Sequence, residues 1–372
     1  MKLYRVGGAV RDKFLGRDSA DQDFVLIGGT EDDLQRLVPG LTRVGRGIPV
    51  FVHGQAQYTC SAFASIEADL ASRDLTLNAL AQDEHGQVLA YPGALDDLRA
   101  KVLRPVAVEN FLHDPLRVVR AARFSAQFPD FTVSPELVAA MRCVDADRLA
   151  QVAAERVGQE VVKACAALRP GNFLRLLSQT DCLAPWLAEW TEAANIPAGP
   201  PAFHASSVLE HTAAVMDHSA GSALQVWMAW CHDIGKTTTP EEILPRHLGH
   251  EVRGQDMAVA FGTRLRLPKT YLRAGRLAAA WHMSGAMYPS LRPSTRVRLL
   301  LDVDKAGIMD EFFGLVRADG DEDHGTLAHK ELGLIKAARL PAQHRNQGEK
   351  SAAVLLSLRC AALSQHHDPG KR

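Results

Sequence analysis

Two short runs near the start of the chain combine residue types that phosphate chemistry needs: Val6-Gly7-Gly8-Ala9-Val10-Arg11-Asp12, and Asp21-Gln22-Asp23. Adjacent glycines let a backbone approach a triphosphate, and the helix they open would aim its free N–H groups and positive dipole end at that anion. Arg11, one turn in, adds charge-assisted donors for phosphate oxygens. Asp21 and Asp23 alternate along a strand and so share one face. Such a pair suits Mg²⁺, which takes one or two carboxylates together with substrate phosphates. Each signal alone is common; within one strand–helix–strand unit they point together to nucleotidyl transfer. A second set lies far along the chain: His211, His232-Asp233, His247, His250, His282 and Asp319. Imidazole with carboxylate suits Mn²⁺, Ni²⁺, Co²⁺ or Fe²⁺ more than Mg²⁺.

Residues so scattered need frames to bring them together. Leu3-Tyr4-Arg5-Val6 and Phe24-Val25-Leu26-Ile27 read as strands on either side of the glycine-opened helix. The first hundred residues mix strands and helices, as a small mixed α/β head requires. From Asn110 onward apolar residues recur at three- and four-residue spacing, through Val118, Val119, Ala121, Ala122 and Phe124 to Leu137, Met141, Val161 and Val162, which predicts helices. Asp114 stands at such a helix start, with Pro115 at a first-turn position that tolerates it. Arg117, three residues on, is its neighbour. Asn195-Ile196-Pro197-Ala198-Gly199-Pro200-Pro201 is the best domain break. The expected class is α+β: a head over 1–105, an all-α neck and body over 106–200, a further helical domain over 201–330, and a helical tail over 331–372 that ends in a frayed His366-His367-Asp368-Pro369-Gly370-Lys371-Arg372.

Ser72-Arg73-Asp74-Leu75-Thr76-Leu77-Asn78-Ala79-Leu80 and Asp114-Pro115-Leu116-Arg117-Val118-Val119-Arg120-Ala121-Ala122-Arg123-Phe124 follow the opening motif in order. With it they make the chain resemble the class II tRNA nucleotidyltransferases, the CCA-adding enzymes and their poly(A) polymerase relatives, over most of residues 1–160 and on into the C-terminal half. The resemblance implies a polymerase-beta-like nucleotidyltransferase head, with tRNA and CTP as partners. It implies that Asp21 and Asp23 hold Mg²⁺ ions that activate an RNA 3′-hydroxyl and stabilise the attacked phosphate. Gly8 and Arg11 would hold the triphosphate, and Arg73 and Asp74 the incoming nucleotide, Asp74 accepting from a ribose hydroxyl. Asp114 and Arg117 would form a protein template, Arg117 donating to O2 and N3 of cytosine while Asp114 accepts from N4. Arg120 and Arg123 would extend this basic row toward the nucleotide or the tRNA end. Outside the resemblance, Asp114 and Arg117 read as a surface ion pair worth little. Glu155-Arg156-Val157-Gly158-Gln159-Glu160 resembles a later motif of the family, with a bracing role toward the template helix.

Glu210-His211-Thr212, Cys231-His232-Asp233-Ile234-Gly235-Lys236 and Asp319 resemble, in order, the HD superfamily of metal-dependent phosphohydrolases. That resemblance implies a divalent transition-metal site (Ni²⁺, Mn²⁺ or Co²⁺) on His211, His232, Asp233 and Asp319, and a second on His250 and His282, with water as nucleophile. HD domains fused to such transferases are associated with 2′,3′-cyclic phosphodiesterase, 2′-nucleotidase and phosphatase activities.

The chain departs from the family pattern at Ser72, which stands for an Arg, at His113, which stands for a Glu, and at Ala90, which stands for an Asp. None of these removes a carboxylate of the metal pair or the Asp114–Arg117 template. A further departure is the short passage from Phe51-Val52-His53-Gly54-Gln55-Ala56-Gln57-Tyr58-Thr59-Cys60 into Ala64-Ser65-Ile66-Glu67-Ala68-Asp69-Leu70. The family's flexible loop, which lets the template switch from CTP to ATP, is missing there. The leading expectation is therefore an enzyme that adds CC and stops. The alternatives are full CCA addition with CTP and ATP, a poly(A) polymerase, and an HD phosphohydrolase with an inactive RNA-binding head.

With 372 residues and 47% hydrophobic content, the chain has enough apolar material for more than one packed core. A formal net charge of −1 excludes a global basic field, so RNA must be held by a local basic surface. Lys101, Arg104, Arg117, Arg120 and Arg123 are candidates. Only 6% of residues are aromatic, which favours backbone clamping and base-edge reading over a stacking platform. The six cysteines form no Cys-x-x-Cys pair and read as thiols in a reducing compartment. The N-terminus enters the first strand without a signal core, and no apolar run approaches a membrane span, so a cytoplasmic location is expected.

Overall fold

A computed structural model describes residues 1–17, 22–44, 49–201, 206–320 and 322–365; Asp21 and the expected frayed tail lie outside them. The chain forms two compact units, residues 1–152 with 179–182, and residues 153–178 with 183–372.

The first unit is built on a mixed sheet of β1 (Lys2–Val6), β2 (Gln22–Ile27), β3 (Thr42–Val44), β4 (Val50–His53), β5 (Ala56–Cys60), β6 (Leu80–Gln82) and β7 (Val88–Ala90), in the order β3-β4-β5-β2-β1-β6-β7. β2 runs parallel to β5 and antiparallel to β1. Alternation along β2 sends Val25 and Ile27 into a core with Tyr4, Val6, Ile66 and Leu70, and Leu26 to the opposite face with Leu34, Phe51 and Tyr58. The register pairs Val6 with Asp23, so Asp23 stands directly across from the residue that leads into Gly7 and Gly8. Gly7 adopts φ 66° with ψ −129°, a positive-φ conformation that glycine enters without steric cost, and the helix Gly8–Phe14 follows at once. Beyond the sheet come the helices Val108–His113 and Leu116–Gln127. The region is not purely helical: Val102–Leu103 and Thr132–Val133 form a short parallel pair, β8 and β9.

The second unit is helical. Its core stacks Trp227 on Phe261, with ring centroids 5.1 Å apart, and sets Trp230 edge-on to Phe173 at 5.7 Å. Burying a side chain of this size is worth roughly 1.5–3 kcal/mol. Gly235 permits the short helix Ile234–Thr238 to press against the start of the helix His250–Arg264, where a Cβ would collide with the His250 carbonyl. The Pro/Gly-rich stretch 195–201, expected as a domain break, lies within the second unit. Ala198 N–H donates to Ser206 at 2.9 Å, Val208 N–H donates to Ile196 at 2.8 Å, and the buried Lys236 ammonium donates to the Ala198 carbonyl at 2.9 Å. The division by packing falls near Val152 instead, because backbone pairing ties that stretch into the second unit. No helix of the described residues is long and apolar enough to cross a membrane.

Candidate active sites

In the first unit the Ser72–Leu80 segment is a hydrogen-bonded hub. Asp74 is 4% exposed, and its Oδ2 receives Nε and Nη2 of Arg120 at 2.8 and 2.7 Å. Its Oδ1 accepts from Asn78 Nδ2 at 3.0 Å and from Leu75 N–H at 2.8 Å. Burial by itself would raise the Asp74 pKa, but Arg120 and these donors outweigh it and hold the carboxyl well below the usual carboxylate range. Arg73 turns back to Asp69 Oδ2 at 2.6 Å, while its carbonyl accepts from Arg117 Nη1 at 3.0 Å and from Asn110 Nδ2 at 2.8 Å. Burial lowers the Arg117 pKa against the pull of Asp74 and Asp114, so this guanidinium is partly stripped of water. Asp114 closes the helix Val108–His113, and Pro115, not Asp114, is the N-cap of Leu116–Gln127. The Asp114 Oδ1 accepts from Leu116 N–H at 3.3 Å.

Arg11 is buried. Its Nη1 donates to Asn78 Oδ1 at 2.7 Å, its Nε to Asp12 Oδ1 at 2.8 Å, and its guanidinium lies 4.7 Å from the Phe128 ring centre. Arg123 is also buried, over the Phe124 ring at 3.9 Å and bonded to Gln127 Oε1 at 2.6 Å. Both extend inward rather than along an open basic row. Asp23 is exposed.

In the second unit, residues far apart in sequence converge on one carboxylate. His211 rides on the helix Val208–His218, His232-Asp233 follows Ala223–Cys231, His250 opens His250–Arg264, His282 sits in Lys269–Ala286, and Asp319 in Met309–Gly320. Asp233 Oδ2 lies 3.3 Å from His211 Nε2 and 3.2 Å from His232 Nε2; Asp319 Oδ1 lies 3.2 Å from His211 Nε2 and 3.7 Å from His232 Nε2. Asp233 Oδ1 lies 3.2 Å from His250 Nε2 and 3.3 Å from His282 Nε2. Two ligand groups therefore share Asp233: His211 and His232 on one side, His250 and His282 on the other.

The ring nitrogens turned away from the centre fix the tautomers. His232 Nδ1 is 2.6 Å from the Ala229 carbonyl, His250 Nδ1 is 2.7 Å from that of His247, and His282 Nδ1 is 3.1 Å from that of Ala278. A carbonyl only accepts, so each Nδ1 carries a proton, and in the neutral ring the Nε2 lone pair faces inward. With both rings neutral and protonated at Nδ1, the His250 and His282 Nε2 atoms, 3.1 Å apart, bring two lone pairs together, an approach that a cation between them relieves. Asp233 Oδ1 is fully buried without a hydrogen-bond partner. Both observations fit a divalent cation on each side of Asp233. Burial tends to lower the His211 pKa, but bonds to Asp233 and Asp319 outweigh it and push it up to about 9. Burial wins at His282, which is shifted down and stays neutral, the form that ligates.

Comparison with known proteins decides the family. A model of the poly A polymerase head domain matches residues 48–104. The chain is 35% identical over 362 residues to a multifunctional CCA protein of Aromatoleum aromaticum, covering 91% of this chain and 88% of the relative. It is 38% identical over 313 residues to one of Cupriavidus metallidurans, covering 76% and 75%. The chain belongs to the multifunctional CCA protein family. Among solved structures, the fold is similar to a Bacillus stearothermophilus CCA-adding enzyme in complex with CTP, with a TM-score of 0.66, 22% identity and coverage of 98% and 89%. It is also similar to a Thermotoga maritima CCA-adding enzyme complexed with tRNA, with a TM-score of 0.63, 19% identity and coverage of 100% and 88%.

In this CCA family member, a nucleotidyltransferase, the departures from pattern sit quietly. Ser72 caps the helix Ile66–Ala71, its Oγ donating to the Asp69 carbonyl at 2.7 Å; His113 is exposed, and Ala90 ends β7. Three supporting residues escape motif reading. Asn78 joins Arg11 to Asp74, and Asn110 ties the carbonyls of Ala71 and Arg73. Lys236 Nζ grips Asp233 Oδ2 at 2.7 Å. Asn78 and Lys236 lie inside the conspicuous motifs, which is the signal that could have found them; Asn110 carries none. His247 stands outside both ligand groups, bonded to the Pro197 carbonyl at 2.8 Å and Thr239 Oγ1 at 2.7 Å. The helix Ala154–Cys165, which holds the Glu155–Glu160 motif, belongs to the second unit and packs on Ala223–Cys231.

Proposed function

We propose that the first unit adds two cytidines to the 3′ end of tRNA and then stops. The tRNA 3′-oxygen attacks the α-phosphorus of CTP, the α–β bridge bond breaks, and pyrophosphate leaves. Asp21 and Asp23 would hold Mg²⁺, which when bound supplies charge for the nucleophile and the attacked phosphate. Asp23, across from Val6 and beside the Gly7-Gly8 turn, supports that role. Gly8, whose missing Cβ would face the Arg11 guanidinium at 3.3 Å, would hold the triphosphate through its backbone, and Arg11 supports the site through Asn78 and Asp74. Arg117 and Asp114 read the cytosine edge, and Arg73 positions Arg117 by accepting from its Nη1 at the main-chain carbonyl.

The observation that carries the two-cytidine reading is the link from β5 to the helix Ile66–Ala71. It consists only of residues 61–65 and is held closed: Ser61 N–H donates to the Leu26 carbonyl at 2.9 Å, Ser61 Oγ to Asp69 at 2.9 Å, and Ser65 caps the helix. No extended loop leaves the sheet there to re-aim the template toward ATP. The names of the curated relatives favour a second reading, full CCA addition with CTP and ATP. Single-nucleotide-resolution extension of a tRNA lacking CCA, with CTP, ATP or both, separates the two. A stop after two cytidines in the presence of ATP is expected, and completion to CCA overturns the reading.

For the second unit we propose a metal-dependent phosphohydrolase of cytoplasmic RNA ends. Its support is the buried, shared Asp233 between two histidine pairs. A bound transition-metal ion supplies Lewis acidity and an acidified water; Asp233 and Lys236 orient the ligand set. Hydrolysis of 2′,3′-cyclic AMP with added Ni²⁺ or Mn²⁺ is expected. No turnover by the native protein, or full turnover by Asp233→Ala, refutes it.

A further inference from the structure

The second unit carries a cavity of about 460 Å³ that shares no lining residue with the histidine cluster. Three helices border it, His250–Arg264, Lys269–Ala286 and Pro293–Ala306. Arg273 and Arg276 lie one turn apart on the second of these, and Lys305 reaches in from the third; all three are exposed. Among the described residues none of the three has an ion-pair or hydrogen-bond partner for its side chain. Arg273 and Arg276, like charges three residues apart, repel each other; Asp302 also lines the cavity, so three cations face one carboxylate there and an arriving anion is favoured. Trp281, half-buried, lines the same cavity, and its Nε1 donates to Asp302 Oδ2 at 3.2 Å, which anchors the indole edge. Gln255 adds an amide with both a donor and an acceptor.

We propose that Arg273, Arg276, Lys305 and Trp281 bind a nucleotide unit of single-stranded RNA, the cations taking its phosphates and the indole its base. The volume lies within the range of small-ligand sites. Arginine forks match phosphate oxygens, and aromatic stacking supports any base without selecting a sequence. An acidic peptide would use the cations but not the indole plane. The choice of RNA rests on the reading of the chain as an RNA-end enzyme; the pocket's chemistry, a phosphate beside a flat ring, does not.

The test uses the full-length protein, a labelled tetracytidylate RNA, CMP and a tetraglutamate peptide. Fluorescence quenching attributable to Trp281 is read as the difference between the native protein and Trp281→Phe. The RNA is expected to quench it. The exposed double variant Arg273→Ala/Arg276→Ala is expected to weaken RNA binding about tenfold or more and to reduce the log–log salt slope by about 0.7 for each phosphate it no longer neutralises. Unchanged affinity and salt slope in the double variant, or no quenching of Trp281, overturns the site. Equal affinity for CMP overturns its assignment to a polymer, and equal affinity for tetraglutamate its assignment to RNA. Failure of tRNA extension by the native protein would sink the proposed transferase activity while leaving this binding readout intact.

Discussion

Asp74 and Arg120 are joined through two nitrogens of one guanidinium, and the carboxylate at the centre of that pair is almost wholly out of water. Removing the cation strands a buried charge. Arg120→Ala is expected to destabilise the first unit by about 3 kcal/mol, the low end for a broken buried pair because the arginine side is about a third exposed. Urea unfolding measures it, and a loss below about 1 kcal/mol would mean that Asn78 and water suffice.

Asp23 is exposed, so its replacement leaves the sheet intact. Asp23→Ala should lower cytidine incorporation into tRNA by at least about a hundredfold, the scale for losing one transition-state partner, with an unchanged circular dichroism spectrum. Retained incorporation would remove Asp23 from the chemistry.

Asp233 faces both histidine pairs, so substitutions should separate the two ligand groups. His250→Ala should cut the Mn²⁺ content at saturation by about half, and Asp233→Asn should remove nearly all of it. Elemental analysis after gel filtration reads the ratio; equal loading of all three proteins would leave the double site without support.

Without a cation, His211 stays protonated up to about pH 9 beside Asp233 and Asp319. A pKa raised on folding contributes stability that is complete below about 6.5 and is lost as pH climbs through about 9. The melting temperature of the EDTA-treated protein should therefore fall across that window. Cations compete with the same proton, so Ni²⁺ affinity should rise over it. A flat profile in EDTA would contradict this.

Gly235 lies against the His250 backbone. Gly235→Ala should cost about 1–3 kcal/mol or more by forced displacement and should weaken Mn²⁺ binding through His250. Normal thermal stability and loading would show that the two helices can part without harm.

Sequence reasoning located the glycine turn, the strand carrying Asp23, the Arg73-Asp74 segment and the histidines, because each depends on local spacing or on a motif. The mixture of strand and helix patterns over the first hundred residues also pointed to a mixed α/β head, and apolar periodicity to the helices that follow. What it could not assign was the partner of each side chain. Arg11 read as a cation for the triphosphate and Arg123 as one facing the nucleotide or the tRNA end, yet packing against Phe128 and Phe124 turns both inward. Residues 195–201 read as a domain break, yet long-range backbone pairing and Lys236 draw them into the second unit. The shared position of Asp233 likewise exists only after separate helices pack, since no spacing along the chain encodes the 3.1 Å approach of His250 to His282. Residue type and local period determined which chemistry this chain can carry; only the packed structure decided which groups meet, because burial and hydrogen bonding are set by neighbours distant in sequence.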